Sequence, residues 1–280
     1  MKLFFKLSLT IPQDKYEIAL GAIYSVDTLG LEETGTKETK KISCYFNEQK
    51  TAACLLKRLK TIFPKIRASL EQIQNCDWNE KWRQSMKPAK LTKNIWVSPK
   101  WLTPNLKDND IWIKIEPKMA FGTGHHATTR LTAQAMVQNL KKKRDRFLDI
   151  GTGSGILCFV AAIFGIKTAI GIEIDPQCRK NLRENYLDNR LVSSIHFFIG
   201  NINIFKIKSS FNLITMNMIR TISEPLLDKV YRLLRPSGIL IWSGILISEK
   251  KVALKAAKDK GFSCLKETTE GDWWCGTLLK

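Results

Sequence analysis

The chain has 280 residues, 44% of them hydrophobic and 25% charged, with a net charge of +19, the make-up of a soluble globular protein large enough for one large or two ordinary cores. No apolar run reaches the ~18 residues of a membrane span, and the N-terminus lacks the apolar length and small-residue cleavage site of a secretory leader, so a cytosolic protein is expected. Seven cysteines without a Cys-x-x-Cys pair, and only His125, His126 and His196 as imidazoles, argue against a disulfide framework, a zinc site and a catalytic metal.

In chain order, residues 3–10 read as a strand and residues 14–29 as a helix, with Ile18, Ala19, Ala22, Ile23 and Val26 on one face and Gly30 as the stop. Two strand-like runs (31–36 and 41–46), a helix (49–62) ended by Pro64, and a last run (68–73) complete a βαββαβ order, the signature of a small ferredoxin-like α+β domain over residues 1–75. Nothing in it carries chemistry, so recognition is its expected task.

Residues 76–116 read as a connector. Trp78 and Trp82 share a helix face, and 95–101 and 111–115 read as strands around Pro104 and a polar turn. Residues 117–130 form a polar loop with Gly122, Thr123, Gly124, His125, His126, Thr128 and Thr129. One of the two later threonines is expected to cap a helix over 131–140.

From Phe147 to Asp175 the chain runs strand, glycine turn, helix, strand, which is one βαβ unit of a parallel sheet. Glycines let backbone N–H groups approach a ligand at the head of the helix, and Glu173 closes the second strand about twenty residues on, where an acid takes ribose hydroxyls. The turn Asp149-Ile150-Gly151-Thr152-Gly153-Ser154-Gly155 places Ile156 where the dinucleotide pattern has its third glycine, so phosphate binding is the weaker reading. The combination resembles the first motif of S-adenosylmethionine-dependent methyltransferases.

The remaining elements suit an open α/β sheet: a helix over 177–187, strands over 195–199 and 211–218, a helix over 222–234, a strand over 238–246, a helix over 249–260 and a closing hairpin from 262–267 and 272–279. Gly151, Glu173, Asn201 and Asn217 all fall at carboxyl ends of strands, where such sheets bind ligands.

Four stretches together make a more specific array: Asp77-Trp78 with Trp82, Met119 to Gly124 with His126, Thr128 and Thr129, Asp149 to Gly155, and Ser243 to Leu246. In this array the chain resembles the ribosomal protein L-eleven methyltransferase family (PrmA type) over nearly its full length. The resemblance implies a seven-stranded Rossmann-like methyltransferase domain over residues 117–280 with S-adenosyl-L-methionine as cofactor, and a leading domain that grips the ribosomal protein. It implies protein N-methylation at a lysine ε-amine or an N-terminal α-amine.

Carried over by position, the family's cofactor contacts fall on Thr129, Gly151, Glu173 and Asn217. Gly153 belongs to the same turn, and Asn201 is a candidate for the adenine edge or a plain turn residue. Asn217 is the expected orienting group for the acceptor amine; His126 is either a general base or a hydrogen-bonding strut. The sequence departs from the family at Glu173, where Asp is common, at His125 and Ala127, and at Arg220, which is expected to bring a cation to the pocket mouth.

The positive charge is spread over both halves: residues 1–115 carry 20 basic and 12 acidic side chains, residues 116–280 carry 25 and 14, and the longest basic run is Lys141 to Arg144. A solvated lysine-rich surface and proximity to the ribosome or rRNA both fit. Two further readings stay open, an RNA or DNA base methyltransferase and a cofactor-binding protein without turnover. The residues 218–220 lack the proline and aromatic pattern of base-amine methyltransferases. A monomer is expected.

Overall fold

The computed structural model describes residues 3–36, 38–64, 66–74, 86–118, 121–140, 145–189, 194–206 and 209–280. Trp78, Trp82, Met119, Ala120 and the run Lys141 to Arg144 lie outside them. The chain divides into two compact units, Met1–Met86 and Lys87–Lys280.

The leading unit runs β1 (Leu3–Pro12), α1 (Tyr16–Tyr24), β2 (Gly30–Gly35), β3 (Thr39–Phe46), α2 (Gln49–Ile62) and β4 (Arg67–Gln74). Its strands form one antiparallel sheet in the order β2-β3-β1-β4. Alternation on β1 turns Leu7, Leu9 and Ile11 toward the helices, where they meet Ala19, Ala22 and Ile23 of α1 and Ala52, Leu55 and Leu59 of α2. The helix expected over 14–29 is shorter. It ends at Tyr24, where Ser25 donates its hydroxyl to the Ala22 carbonyl at 2.7 Å, and Gly30 already belongs to β2.

The second unit opens with β5 (Ala89–Lys90), β6 (Ile95–Ser98) and β7 (Ile111–Lys114), a small sheet in the order β5-β6-β7. Leu91, Ile95, Val97, Ile113 and Ile115 sit in the same apolar core as the first helices of this unit. Residues 87–116 are therefore part of this unit's packing. Alternating apolar positions in a short run signal burial but not which core receives it.

The main sheet has seven strands: β8 (Arg146–Ile150), β9 (Thr168–Glu173), β10 (Ser194–Ile199), β11 (Phe211–Asn217), β12 (Leu234–Leu246), β13 (Ser263–Glu270) and β14 (Trp273–Leu279). Their order is β10-β9-β8-β11-β12-β14-β13, parallel except for β14, which runs antiparallel to both neighbours. The connecting helices are α3 (Ala127–Leu140), α4 (Ile156–Ile163), α5 (Cys178–Asn189), α6 (Arg220–Ser223), α7 (Leu227–Leu233) and α8 (Lys250–Asp259). One core lies under α3 and α4, and a second around α7 and α8 with Trp242 and Trp274. The fold is α/β, and its seven-stranded sheet is Rossmann-like.

Two expected helices differ. The one placed over 222–234 is split into α6, a 3-10 turn at Glu224–Leu226 and α7, because Pro225 has no N–H for an α-helical bond. The other begins at Ala127, before the threonines expected to cap it. His126 takes the capping role: its Nδ1 accepts from Thr128 N at 3.4 Å, and its carbonyl accepts from Thr129 N at 3.1 Å. Among the described residues, no helix is long and apolar enough to cross a membrane.

Candidate active site

Strand order reverses between β8 and β11, and there the carboxyl ends of the strands open a pocket of about 460 Å³. Gly151 and Gly153 from the turn after β8, Glu173 from the end of β9 and Asn217 from the end of β11 all line it.

The turn requires its glycines. Gly151 and Gly153 have φ of 73° and 52°, and a Cβ on Gly153 comes within 2.4 Å of the Phe121 carbonyl oxygen. Gly151 N and Thr152 N both donate to the Ile172 carbonyl, at 2.9 and 3.0 Å, which ties the turn to β9. Gly153 N donates to Glu173 Oε2 at 2.9 Å, while Oε1 accepts from Ile174 N at 2.9 Å and Asp175 N at 3.1 Å. The carboxylate is thus held by three backbone donors, and it occupies an N–H group that a phosphate cradle needs free.

Glu173 and Asp175 line the pocket, and among the described residues no lysine or arginine does. In a chain of net charge +19 this is a local inversion of sign. Such a lining repels phosphates and favours a ligand that presents hydroxyls and a positive centre. Arg220, expected at the pocket mouth, is instead paired with Glu224 and, at 3.0 Å, with Glu249. Its charge is spent on anchoring the start of α6 to the residues after β12.

Asn217 points into this pocket with unfinished bonding. Its Nδ2 donates to Thr129 Oγ1 at 3.5 Å, and its Oδ1 is buried without a partner among the described residues. Thr129 itself is buried on α3, and Thr128 is the threonine that lines the cavity. Asn201 is not in the lining; its side chain accepts from Asn203 N at 2.9 Å and caps a 3-10 turn.

Sequence reading missed the apolar half of the wall. Phe121, Ile174, Ile219, Ile222 and Trp273 complete it, and the first four are more than half exposed. Trp273 comes from β14, far along the chain, and carries no local signal. Apolar Ile219 and Ile222 just past a strand end were a usable one.

His126 sits between Phe121 and Trp273, with ring centroids 5.4 and 4.9 Å away in edge-on packing. Its Nδ1 lies 2.8 Å from Thr128 Oγ1. Burial, then the Arg130 cation, hold its pKa below the usual 6.5, with Glu270 opposing. Because the Thr128 N–H can only donate, Nδ1 is the acceptor and the proton of the neutral ring is on Nε2. In this arrangement the ring braces the start of α3.

Beneath the turn, Asp149 is fully buried. Its Oδ1 accepts from Thr215 Oγ1 at 2.6 Å, and its Oδ2 has no partner. Burial raises its carboxyl to about 6, with the hydrogen bond from Thr215 opposing.

A family model described as ribosomal protein L11 methyltransferase (PrmA) matches residues 10–280. A ribosomal protein L11 methyltransferase of Clostridium perfringens is 33% identical over 199 residues, 71% of this chain; the match spans 63% of that relative's length. One of Staphylococcus carnosus is 28% identical over 265 residues, 91% of this chain and 83% of the relative. The crystal structure of ribosomal protein L11 methylase from Lactobacillus delbrueckii subsp. bulgaricus superposes with a TM-score of 0.61 at 25% identity, covering 69% of this chain and 98% of that one.

Proposed function

From the chain's membership of the ribosomal protein L11 methyltransferase family, we propose that it is an S-adenosylmethionine-dependent protein N-methyltransferase acting on ribosomal protein L11. The observation that carries the reading beyond the family is the pocket itself. A glycine turn, a pinned carboxylate and an orphaned amide oxygen meet in a cavity whose charged lining, among the described residues, is acidic.

The residues fit S-adenosylmethionine. Glu173 keeps lone pairs for ribose hydroxyls after accepting three backbone bonds. Gly151 leaves its backbone open to the methionine portion, and Thr129 holds Asn217 in place from behind. When bound, this cofactor supplies a methyl group on a sulfonium for in-line displacement.

The chain's own contribution is position and desolvation. A lysine ε-amine has a reference pKa of about 10.4 and an α-amine one of about 8, so either must arrive or become neutral before it attacks. The exposed apolar rim of Phe121, Ile219 and Ile222 removes water from the amine and lowers its pKa, while Glu173 and Asp175 act in the opposite sense. Asn217 Oδ1 accepts an amine N–H, which turns the nitrogen lone pair away from Asn217. A buried acceptor left unmade costs about 1–3 kcal/mol, and the amine removes that cost.

The βαββαβ order and sheet of the leading unit support reading it as a ferredoxin-like substrate-recognition domain ending with β4, the residues 87–116 serving the methyltransferase unit. A cytoplasmic monomer that works beside the ribosome is the matching setting.

The test is transfer from methyl-labelled S-adenosylmethionine to purified L11, with mass spectrometry of the product. Label on lysine ε-amines or the N-terminal amine is expected. Label confined to RNA, or tight cofactor binding without transfer, overturns the proposal.

A further inference from the structure

The leading unit contains a cavity of about 500 Å³ at the end of its sheet, where β1 runs out, β4 begins and α2 ends. We propose that this cavity is a binding site for an acidic segment of the protein substrate that also carries an apolar anchor residue. The inference deepens the protein-substrate reading above and rests on it.

The cavity has an apolar floor and a basic mouth. Ile11 and Phe63, both buried core residues, and Ile66 form the floor. Pro12 and Pro64 also line it and bring no backbone N–H. Lys15 and Arg67 supply the charge. In the strand register Lys41 and Arg67 flank Thr10 on one sheet face, Lys41 lying outside the cavity lining. Among the described residues, none of these three makes an ion pair. Asp14 adjoins Lys15 in sequence, and Glu38 stands in a neighbouring turn with its carbonyl accepting from Gln13 N, but neither carboxylate closes on them.

This composition selects a class of ligand. Uncompensated cations around an apolar floor match a carboxylate set next to a branched or aromatic side chain, each satisfying one half of the site. An RNA backbone fits worse, since its phosphates gain nothing from the floor. Among the described lining residues the one aromatic side chain, Phe63, is 9% exposed and presents no open face for a base to stack on. The charge is also opposite to that of the catalytic pocket, which is lined by Glu173 and Asp175. The amine and the acidic segment are thereby sorted to different sites by sign.

The test uses the full chain, wild type and a Lys15→Glu/Arg67→Glu double variant at exposed positions. Fluorescence anisotropy is read with a labelled alternating leucine–glutamate peptide, its leucine–lysine counterpart and a short uridine oligonucleotide. The glutamate peptide is expected to bind the wild type and to lose about tenfold or more in affinity on charge reversal. The lysine peptide is expected to show the reverse preference. S-adenosylmethionine affinity, unchanged in the variant, certifies the fold, and the KM for L11 rises while kcat holds. Glutamate-peptide affinity that ignores charge reversal, or oligonucleotide binding as the only interaction lost, overturns the site. If wild type transfers no methyl to L11 while peptide binding is still lost on reversal, the substrate assignment fails and the acidic-segment site stands.

Discussion

Asn217 donates from Nδ2 to the hydroxyl of Thr129 at 3.5 Å, and this bond fixes which end of its amide carries the acceptor left over. With Nδ2 engaged, Oδ1 is buried and, among the described residues, has no partner. Removing the oxygen in Asn217→Ala is expected to lower kcat/KM for L11 by about a hundredfold, near 3 kcal/mol of lost orientation. Thr129→Val keeps the shape and drops the hydroxyl, so the amide is free to turn, and a loss of roughly tenfold is expected. Steady-state kinetics on both variants decide; an Asn217→Ala enzyme within threefold of wild type, on the order of 0.7 kcal/mol, rules out the orienting role.

Glu173 is held by Gly153 N, Ile174 N and Asp175 N. Glu173→Gln cannot accept from both sides of this set, and Glu173→Ala accepts from none. Calorimetry with S-adenosylmethionine is expected to show affinity falling by about tenfold in the first and by about a hundredfold in the second. Equal affinity for all three proteins places the ribose elsewhere.

The pH dependence of His126 follows from its capping bond. Its folded pKa lies below the usual 6.5, so its contribution is present above about 6.5 and is lost as pH falls through the folded value. Protonated Nδ1 becomes a donor and can no longer accept from Thr128 N. An acid limb in both kcat and thermal stability is expected below pH 6.5. His126→Asn, which keeps an acceptor at the helix start, is expected to flatten that limb. A limb of the same shape in the variant assigns it to another group.

Asp149 has the opposite sign. Its folded pKa, about 6, is above the ordinary carboxyl value of 3.8, so the folded chain binds the proton more tightly than the unfolded one. Its contribution is complete below about 4 and is lost as pH rises through about 6, on the order of 3 kcal/mol in all. Urea unfolding of wild type and Asp149→Asn across this range is expected to give curves that diverge as pH rises, with the variant gaining on the wild type. Parallel curves show that Asp149 does not titrate in this window.

Chain-local chemistry was legible in the sequence. The glycine turn, the acid closing β9 and the helix over 49–62 each depend on neighbours within a few residues, so spacing alone announces them. Long-range pairing was not legible. Arg220 read as a free cation because Glu249 is 29 residues away, and the Arg220 to Glu249 contact exists only once α6 is set beside the residues following β12. His126 replaced the threonines as the cap of α3 because its ring is braced by Phe121 and by Trp273 from the last strand.

The sequence by itself determined where backbone must approach a ligand and which strand ends carry polar groups, because glycine torsion and strand alternation are local properties. Tertiary structure alone decided that Asn217 keeps a buried acceptor unpaired among the described residues, that Asp149 loses its water, and that a strongly basic chain has an acidic pocket. Each of these is set by the distance between groups far apart in the chain, and burial and electrostatic coupling depend on that distance rather than on residue type.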